Sequence, residues 1–168
     1  MALEHTLVIF KPDAVQRGVV GELLSRFERV GLKLVATKML QPTKEQLHHH
    51  YEGIGKLLTR RGKVPFEVTM SFMQSGPVIA IVLEGDGAAD IVRKMVGTTE
   101  PKSALPGTIR GDYSHISFGY ADANKVGIPN LVHASGNAEE AKLEIAHWFQ
   151  NSEIVSYSAC AQRFTQPA

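Results

Sequence analysis

The stretch NLVHASGN, residues 130 to 137, ends a short apolar run in a histidine and follows it with small residues. Of the seven histidines in the chain, His133 is the one that reads as standing at the C-terminal end of an apolar strand, where α/β proteins usually place reactive groups. A neutral imidazole can act there as a base, a ligand or a phosphoryl acceptor. Ala134, Ser135 and Gly136 leave room for an incoming group, although the same pattern also suits a histidine that merely fills a strand–helix junction.

A second set of residues suits a polyphosphate. Lys11 follows the first apolar run, Arg93 lies in a helical stretch, Thr99 opens a long irregular segment, and Arg110 sits in PGTIRGD. Charge-assisted hydrogen bonds to phosphate oxygens are roughly twice as strong as neutral ones, so these side chains gain meaning if they converge. The chain has no G-x-x-x-x-G-K-[ST] loop, and Gly85-Asp86-Gly87 lacks the third glycine of a dinucleotide fingerprint, so any phosphate must be held by side chains. Tyr51 and Phe66 bracket an irregular stretch, and either ring could stack on a base. Glu144, in the last long helical pattern, could orient an imidazole. His48, His49 and His50 are consecutive, about 100° apart on a helix, which predicts a solvated face rather than a metal site. No His/Cys/carboxylate spacing matches a zinc site.

These groups need elements to hold them. His5 to Phe10 and Pro77 to Glu84 are β-rich runs, the second apolar enough to be buried on both sides. Leu32 to Leu40 and Asn130 to Ala134 supply two more strands. Apolar spacing predicts helices over 19–30, from Thr43 to Tyr51, from Pro65 onward with Phe66, Met70 and Met73 on one face, over 88–96, and from the Asn137 cap to Phe149. Residues 52–63 and 98–129 read as irregular. The order gives an α/β (α+β) layout: a ferredoxin-like split βαβ with a four-stranded, mainly antiparallel sheet covered by helices.

The totals narrow the options. A chain of 168 residues suits one domain, 1–168, with a single active site. A net charge of +1 with dispersed lysine and arginine argues against a duplex-DNA stripe and predicts no specific nucleic-acid partner. The single cysteine, Cys160, excludes an internal disulfide and fits a reducing compartment. No run approaches the roughly 18 apolar residues of a membrane span, and the N-terminus has no signal-peptide pattern. The expected address is the cytoplasm, with no membrane.

KPDAVQRG (Lys11 to Gly18), RFERVGLKLVATKM, SGPVIAIVLEG, RKMVGTTEP, PGTIRGD and NLVHAS, in that order from His5 to Cys160, resemble nucleoside diphosphate kinase. The resemblance implies ping-pong transfer of the γ-phosphate from a nucleoside triphosphate to a nucleoside diphosphate through a phosphohistidine, with Mg²⁺ carried mainly by the nucleotide phosphates. It implies ATP, GTP and their deoxy forms as substrates with low base specificity, and a homo-oligomer, hexamer or tetramer. By motif position the catalytic group is His133, phosphorylated on its pros nitrogen, with Ser135 and Glu144 steadying it. Lys11, Tyr51, Arg93, Thr99, Arg110 and Asn130 fall where the family contacts phosphates or ribose, Phe66 where it stacks the base, and Met70 beside that pocket.

This chain departs from the family in three places. It has His133-Ala-Ser-Gly136 for His-Gly-Ser-Asp, so a nearby carboxylate is missing, and the 52–65 and 114–129 segments are longer than usual. The competing expectation is a non-catalytic ferredoxin-like module that binds nucleotide or nucleic acid. An RNA-binding sheet needs exposed aromatics, and the two central strands offer only Phe10.

Overall fold

The computed structural model describes residues 3–160 and 162–165. Four strands, β1 (Glu4–Phe10), β2 (Lys33–Leu40), β3 (Val78–Gly85) and β4 (Val132–Ala134), form one sheet in the order β2-β3-β1-β4. All three hydrogen-bonded pairs are antiparallel. The fold is the ferredoxin-like arrangement.

Strand side chains alternate between faces, and β1 shows what that does. Leu7 and Ile9 face one core with Leu47, Phe66, Met70, Met73, Ala80, Val82, Ile145 and Trp148. Val8 and Phe10 face a second core with Leu23, Phe27, Ile81, Leu83, Val92, Val96 and Leu131. Each fully buried side chain of this kind contributes about 1.5–3 kcal/mol relative to exposure, so a continuous apolar run is what a central strand covered on both faces requires.

The helices covering the sheet include α2 (Val20–Arg29), α5 (Lys63–Gln74), α6 (Ala88–Val96) and α9 (Ala138–Trp148). Three shorter ones precede α6: α1 (Pro12–Gln16), α3 (Lys44–His48) and α4 (Leu57–Arg61). The turn after Lys11 is helical in α1, with Pro12 in its first turn, where no amide donor is needed. The 52–65 segment is also more ordered than its composition predicts. A π-helical turn, His49–Ile54, continues α3, and the Glu52 carboxylate accepts from the Leu58 and Thr59 amides to start α4. The 98–129 segment contains α7 (Ile109–Tyr113) and α8 (Phe118–Ala123), capped by the hydroxyls of Thr108 and Ser117. A last helical piece, α10 (Gln162–Thr165), follows α9.

β4 is shorter than expected. Asn130 and Leu131 stay outside it because the Val132 amide bonds back to Asn130 O at 2.8 Å, with Leu131 between them at φ 70°. A buried leucine in that conformation is strained. Lys11 holds it there, donating its amide to Leu131 O, and so does Asp13, whose Oδ2 accepts from the Leu131 amide at 3.0 Å. Among the described residues, no helix is long and apolar enough to cross a membrane.

Candidate active site

The ends of β1 and β4 bring the predicted residues together. His133 pairs in register with Ile9, so it stands beside the exit of β1 into Lys11. From α9, the Glu144 carboxylate reaches under the imidazole. Its Oε1 lies 2.8 Å from His133 Nε2, and its Oε2 accepts from Ser135 Oγ at 2.5 Å. Ser135 Oγ is itself 3.3 Å from the Leu7 amide, which ties the carboxylate to the sheet.

Burial alone would raise the Glu144 pKa. The charge of His133, its hydrogen bond, then His50 and Ser135 outweigh burial and carry it down to about 2. An ionised carboxylate accepts but cannot donate, so His133 Nε2 carries the hydrogen and the lone pair of the neutral ring is on Nδ1. Among the described residues Nδ1 makes no hydrogen bond, and the side chain is 19% exposed.

The cations lie on the other side of the same strand end. Lys11 Nζ donates to Asn130 Oδ1 at 2.7 Å, and Asn130 Nδ2 donates to Thr99 O at 2.8 Å. Asn130 is 1% exposed and is the hub between Lys11 and the loop carrying Thr99. Burial first, then the Arg110 charge, lowers the Lys11 pKa to about 8 against the opposing pull of Asp13.

Arg110 donates to the carbonyls of Gly97 (2.9 Å), Val132 (2.7 Å) and Asn130 (3.3 Å). This occupies three of its five N–H groups and leaves a fork edge for a ligand. Burial and the neighbouring Arg93 charge lower its pKa to about 10, so it remains a cation at neutral pH. Arg93 and Thr99 are exposed at the rim. The Tyr51 ring is 6.4 Å from that of His133. Among the described residues its hydroxyl is buried with no hydrogen-bond partner, as are Asp13 Oδ1 and His50 Nε2, and burial followed by Glu144 pushes the phenol pKa up. With His50 and Tyr51 both against the His133 ring, such unpartnered buried polar atoms suit a ligand that supplies the missing partners.

Phe66 and Met70 are buried in the first core, and the Phe66 ring meets His48 edge-on at 5.5 Å. Their spacing with Met73 is the inward stripe of α5. The Phe72 ring lies beside the phosphate-side cation, its centroid 6.0 Å from Lys11 Nζ. Phe72 also packs against the exit of the 114–129 segment, where a Cβ on Gly127 would fall 2.4 Å from Phe72 Cβ.

The solvated face expected for His48, His49 and His50 holds for the first two only. His50 is 1% exposed and meets His133 edge-on at 4.5 Å between centroids. Its signal in the sequence was its place beside Tyr51, with the chain's single tryptophan on the last long helix. The missing carboxylate is also supplied: Glu140 Oε2 accepts from the Gly136 amide at 3.2 Å, from the first turn of α9.

His50, His133 and Glu144 have donor atoms within 4.8 Å of one another. This set is imidazole-rich and already hydrogen-bonded, whereas Mg²⁺ prefers oxygen ligands, so it is no cage for that ion.

Comparison with known proteins agrees with this geometry. The family model described as nucleoside diphosphate kinase matches residues 4–154. A nucleoside diphosphate kinase of Borreliella burgdorferi is 44% identical over 157 residues, covering 94% of this chain and 93% of that protein. One from Pyrococcus furiosus is 44% identical over 162 residues, covering 96% and 92%. The solved structure described as a transition state mimic of the Borrelia burgdorferi enzyme with bound vanadate and ADP superimposes with a TM-score of 0.95 at 41% identity, over 99% of this chain and 98% of that one. With the family model, the identity to these relatives and the fold all extending over nearly its whole length, the chain belongs to the nucleoside diphosphate kinase family.

Proposed function

We propose that this phosphotransferase works through His133 Nδ1, in two symmetric steps at one site. In the first, the Nδ1 lone pair attacks the γ-phosphorus of a nucleoside triphosphate, the bond to the β-phosphate oxygen breaks, and the nucleoside diphosphate leaves. In the second, the terminal phosphate oxygen of an incoming diphosphate attacks the phosphohistidine and the P–Nδ1 bond breaks. The observation that carries this is the 2.8 Å Nε2–Glu144 contact, which leaves Nδ1 as the available nucleophile.

Phosphoryl transfer asks a protein chiefly for positioning and charge neutralisation. We assign the phosphates to Lys11, Arg93 and Arg110, and the ribose and phosphate edges to Tyr51, Thr99 and Asn130. We assign the base-side wall to the Phe66 ring with Met70 beside it, and the Phe72 ring next to Lys11 is the alternative wall. A stacked ring without a hydrogen-bonding code accepts any base, which supports ATP, GTP and deoxy forms alike. Enzymes of this family generally use a divalent metal. We take it to be Mg²⁺, bound to the nucleotide phosphates, where it neutralises charge.

We further propose that residues 1–168 act as one domain and assemble as a hexamer or tetramer. The large apolar side chains exposed on the single chain support assembly, among them Met39 (59%) on the edge strand β2 and Leu105 (73%). The free, exposed Cys160 thiol supports a cytoplasmic setting.

The test is incubation with γ-labelled ATP and Mg²⁺. The protein takes up an acid-labile, alkali-stable label that the His133→Ala variant does not. A wild-type protein that takes up no label refutes the proposal.

A further inference from the structure

We propose that His50, locked by Trp148, is a positioning residue that reserves Glu144 for His133. This rests on His133 being the phosphoryl acceptor, and it concerns how that ring keeps its hydrogen on the nitrogen facing Glu144.

The π-helical turn His49–Ile54 swings His50 inward, and α9 meets it with Trp148. The indole Nε1 is 3.2 Å from His50 Nδ1. An indole N–H only donates, so His50 Nδ1 must accept, and the hydrogen of the neutral ring is on Nε2. Glu144 Oε1 stands 3.6 Å from His50 Nδ1 but 2.8 Å from His133 Nε2. With no hydrogen on His50 Nδ1, the carboxylate has only His133 to bond at that oxygen.

The lock has a definite alternative. A proton on His50 Nδ1 would displace the indole and create an imidazolium next to Glu144, competing with His133 for the same oxygen. The groups facing the ring are His133 from β4, Glu144 and His147 from α9, Lys11 after β1, and the adjacent Tyr51. Burial, then His133, with His147 and Lys11 adding to them, hold the His50 pKa well below its ordinary value; Glu144 alone pulls the other way. The ring also meets His133 at an interplanar angle of 80°, an edge-on contact that limits rotation of the nucleophile.

Trp148→Phe keeps an aromatic ring and removes the donor. Burial and the neighbouring charges remain, so the His50 pKa rises toward, and at most to, its ordinary value of about 6.5, where roughly three-quarters of it would be charged at pH 6 and only a few per cent at pH 8. The ratio of phosphorylation rates at pH 8 and pH 6 therefore rises over wild type, by about fourfold at the upper limit. Adding His50→Asn to Trp148→Phe removes the titrating group and returns the ratio to the wild-type value, whatever the absolute rate. An equal loss at every pH, or a ratio that His50→Asn does not restore, overturns the proposal.

Imidazole nitrogen NMR on the wild-type protein tests the lock without turnover. It is expected to show His50 neutral, with its hydrogen on Nε2, at pH 6. A hydrogen on Nδ1, or ordinary titration of His50, overturns the proposal even where His133 is phosphorylated normally. Absence of any phosphohistidine would instead refute the function assigned to His133.

Discussion

Glu144→Gln isolates the charge beneath the nucleophile. Glutamine keeps the shape and one acceptor oxygen, which can still take the His133 Nε2 hydrogen, while its amide can donate to Ser135 Oγ. The two contacts now made by the carboxylate, at 2.8 and 2.5 Å, lose their ionic character but not their geometry. A charge-assisted bond contributes about 1.5–3 kcal/mol against about 1 for a neutral one. As His133 becomes more positive on attacking phosphorus, the loss of about 1–2 kcal/mol falls mainly on the transition state. The predicted effect is a roughly 5–30-fold slower single-turnover phosphorylation by ATP and Mg²⁺, measured by rapid quench, with nucleotide affinity little changed.

The same substitution has a pH signature in stability. The folded-state pKa of Glu144 is depressed to about 2 from 4.5. Its contribution is therefore fully present above about pH 4.5 and is lost as pH falls from there toward 2. The gap between wild type and variant in urea-unfolding midpoints is expected to be constant above pH 5 and to shrink below pH 4. A rate change under twofold, or a loss as deep as that of His133→Ala, refutes the charge argument.

Other perturbations separate the remaining parts of the site. With the Lys11 pKa lowered to about 8, the cation is lost as pH rises through that value, so kcat/KM for nucleotide should fall above pH 8; a flat profile to pH 10 contradicts the placement. Phe66→Ala should raise KM about tenfold if the ring supports the base, and should cost about 3–5 kcal/mol of stability. A rise in KM on Phe72→Ala with none on Phe66→Ala would move the base to Phe72. Gly136→Asp brings a new side chain against Glu140, whose Oε2 would lie 2.4 Å from the added Cβ. Because that carboxylate can swing away, the variant should keep activity within about twofold and lose under roughly 1 kcal/mol, and adding Glu140→Gln should recover the stability; a severe loss would show a rebuilt loop.

The fold was legible where burial is periodic. Strands β1 and β3 and helices α2, α6 and α9 follow from apolar spacing that both cores then use. His133 could be suspected of chemistry as a histidine closing a strand, whereas Glu144 read locally as a helix-face carboxylate and took its role only from the family resemblance. Asn130 and His50 show where local patterning stops. The polar atoms of Asn130 are occupied by Lys11, 119 positions away, and by Thr99.

The side His50 turns to is set by Trp148, 98 positions on, and by a π-helical turn that a 100° step per residue does not anticipate. Phe66 shows the converse. Its spacing with Met70 and Met73 already marked a core stripe, while the half-buried Phe72 has no periodic partner to announce it. Helices as short as α7 and α8 have too few turns for an apolar period to reveal them.

The most direct test of the account is the site of phosphorylation itself. Protein labelled with ¹⁵N in its imidazoles, phosphorylated by ATP and Mg²⁺ and examined by phosphorus–nitrogen coupled NMR, should show phosphorus bonded to Nδ1 of His133, with Nε2 still carrying the hydrogen that faces Glu144. Phosphorus on Nε2, or on His50, would contradict it.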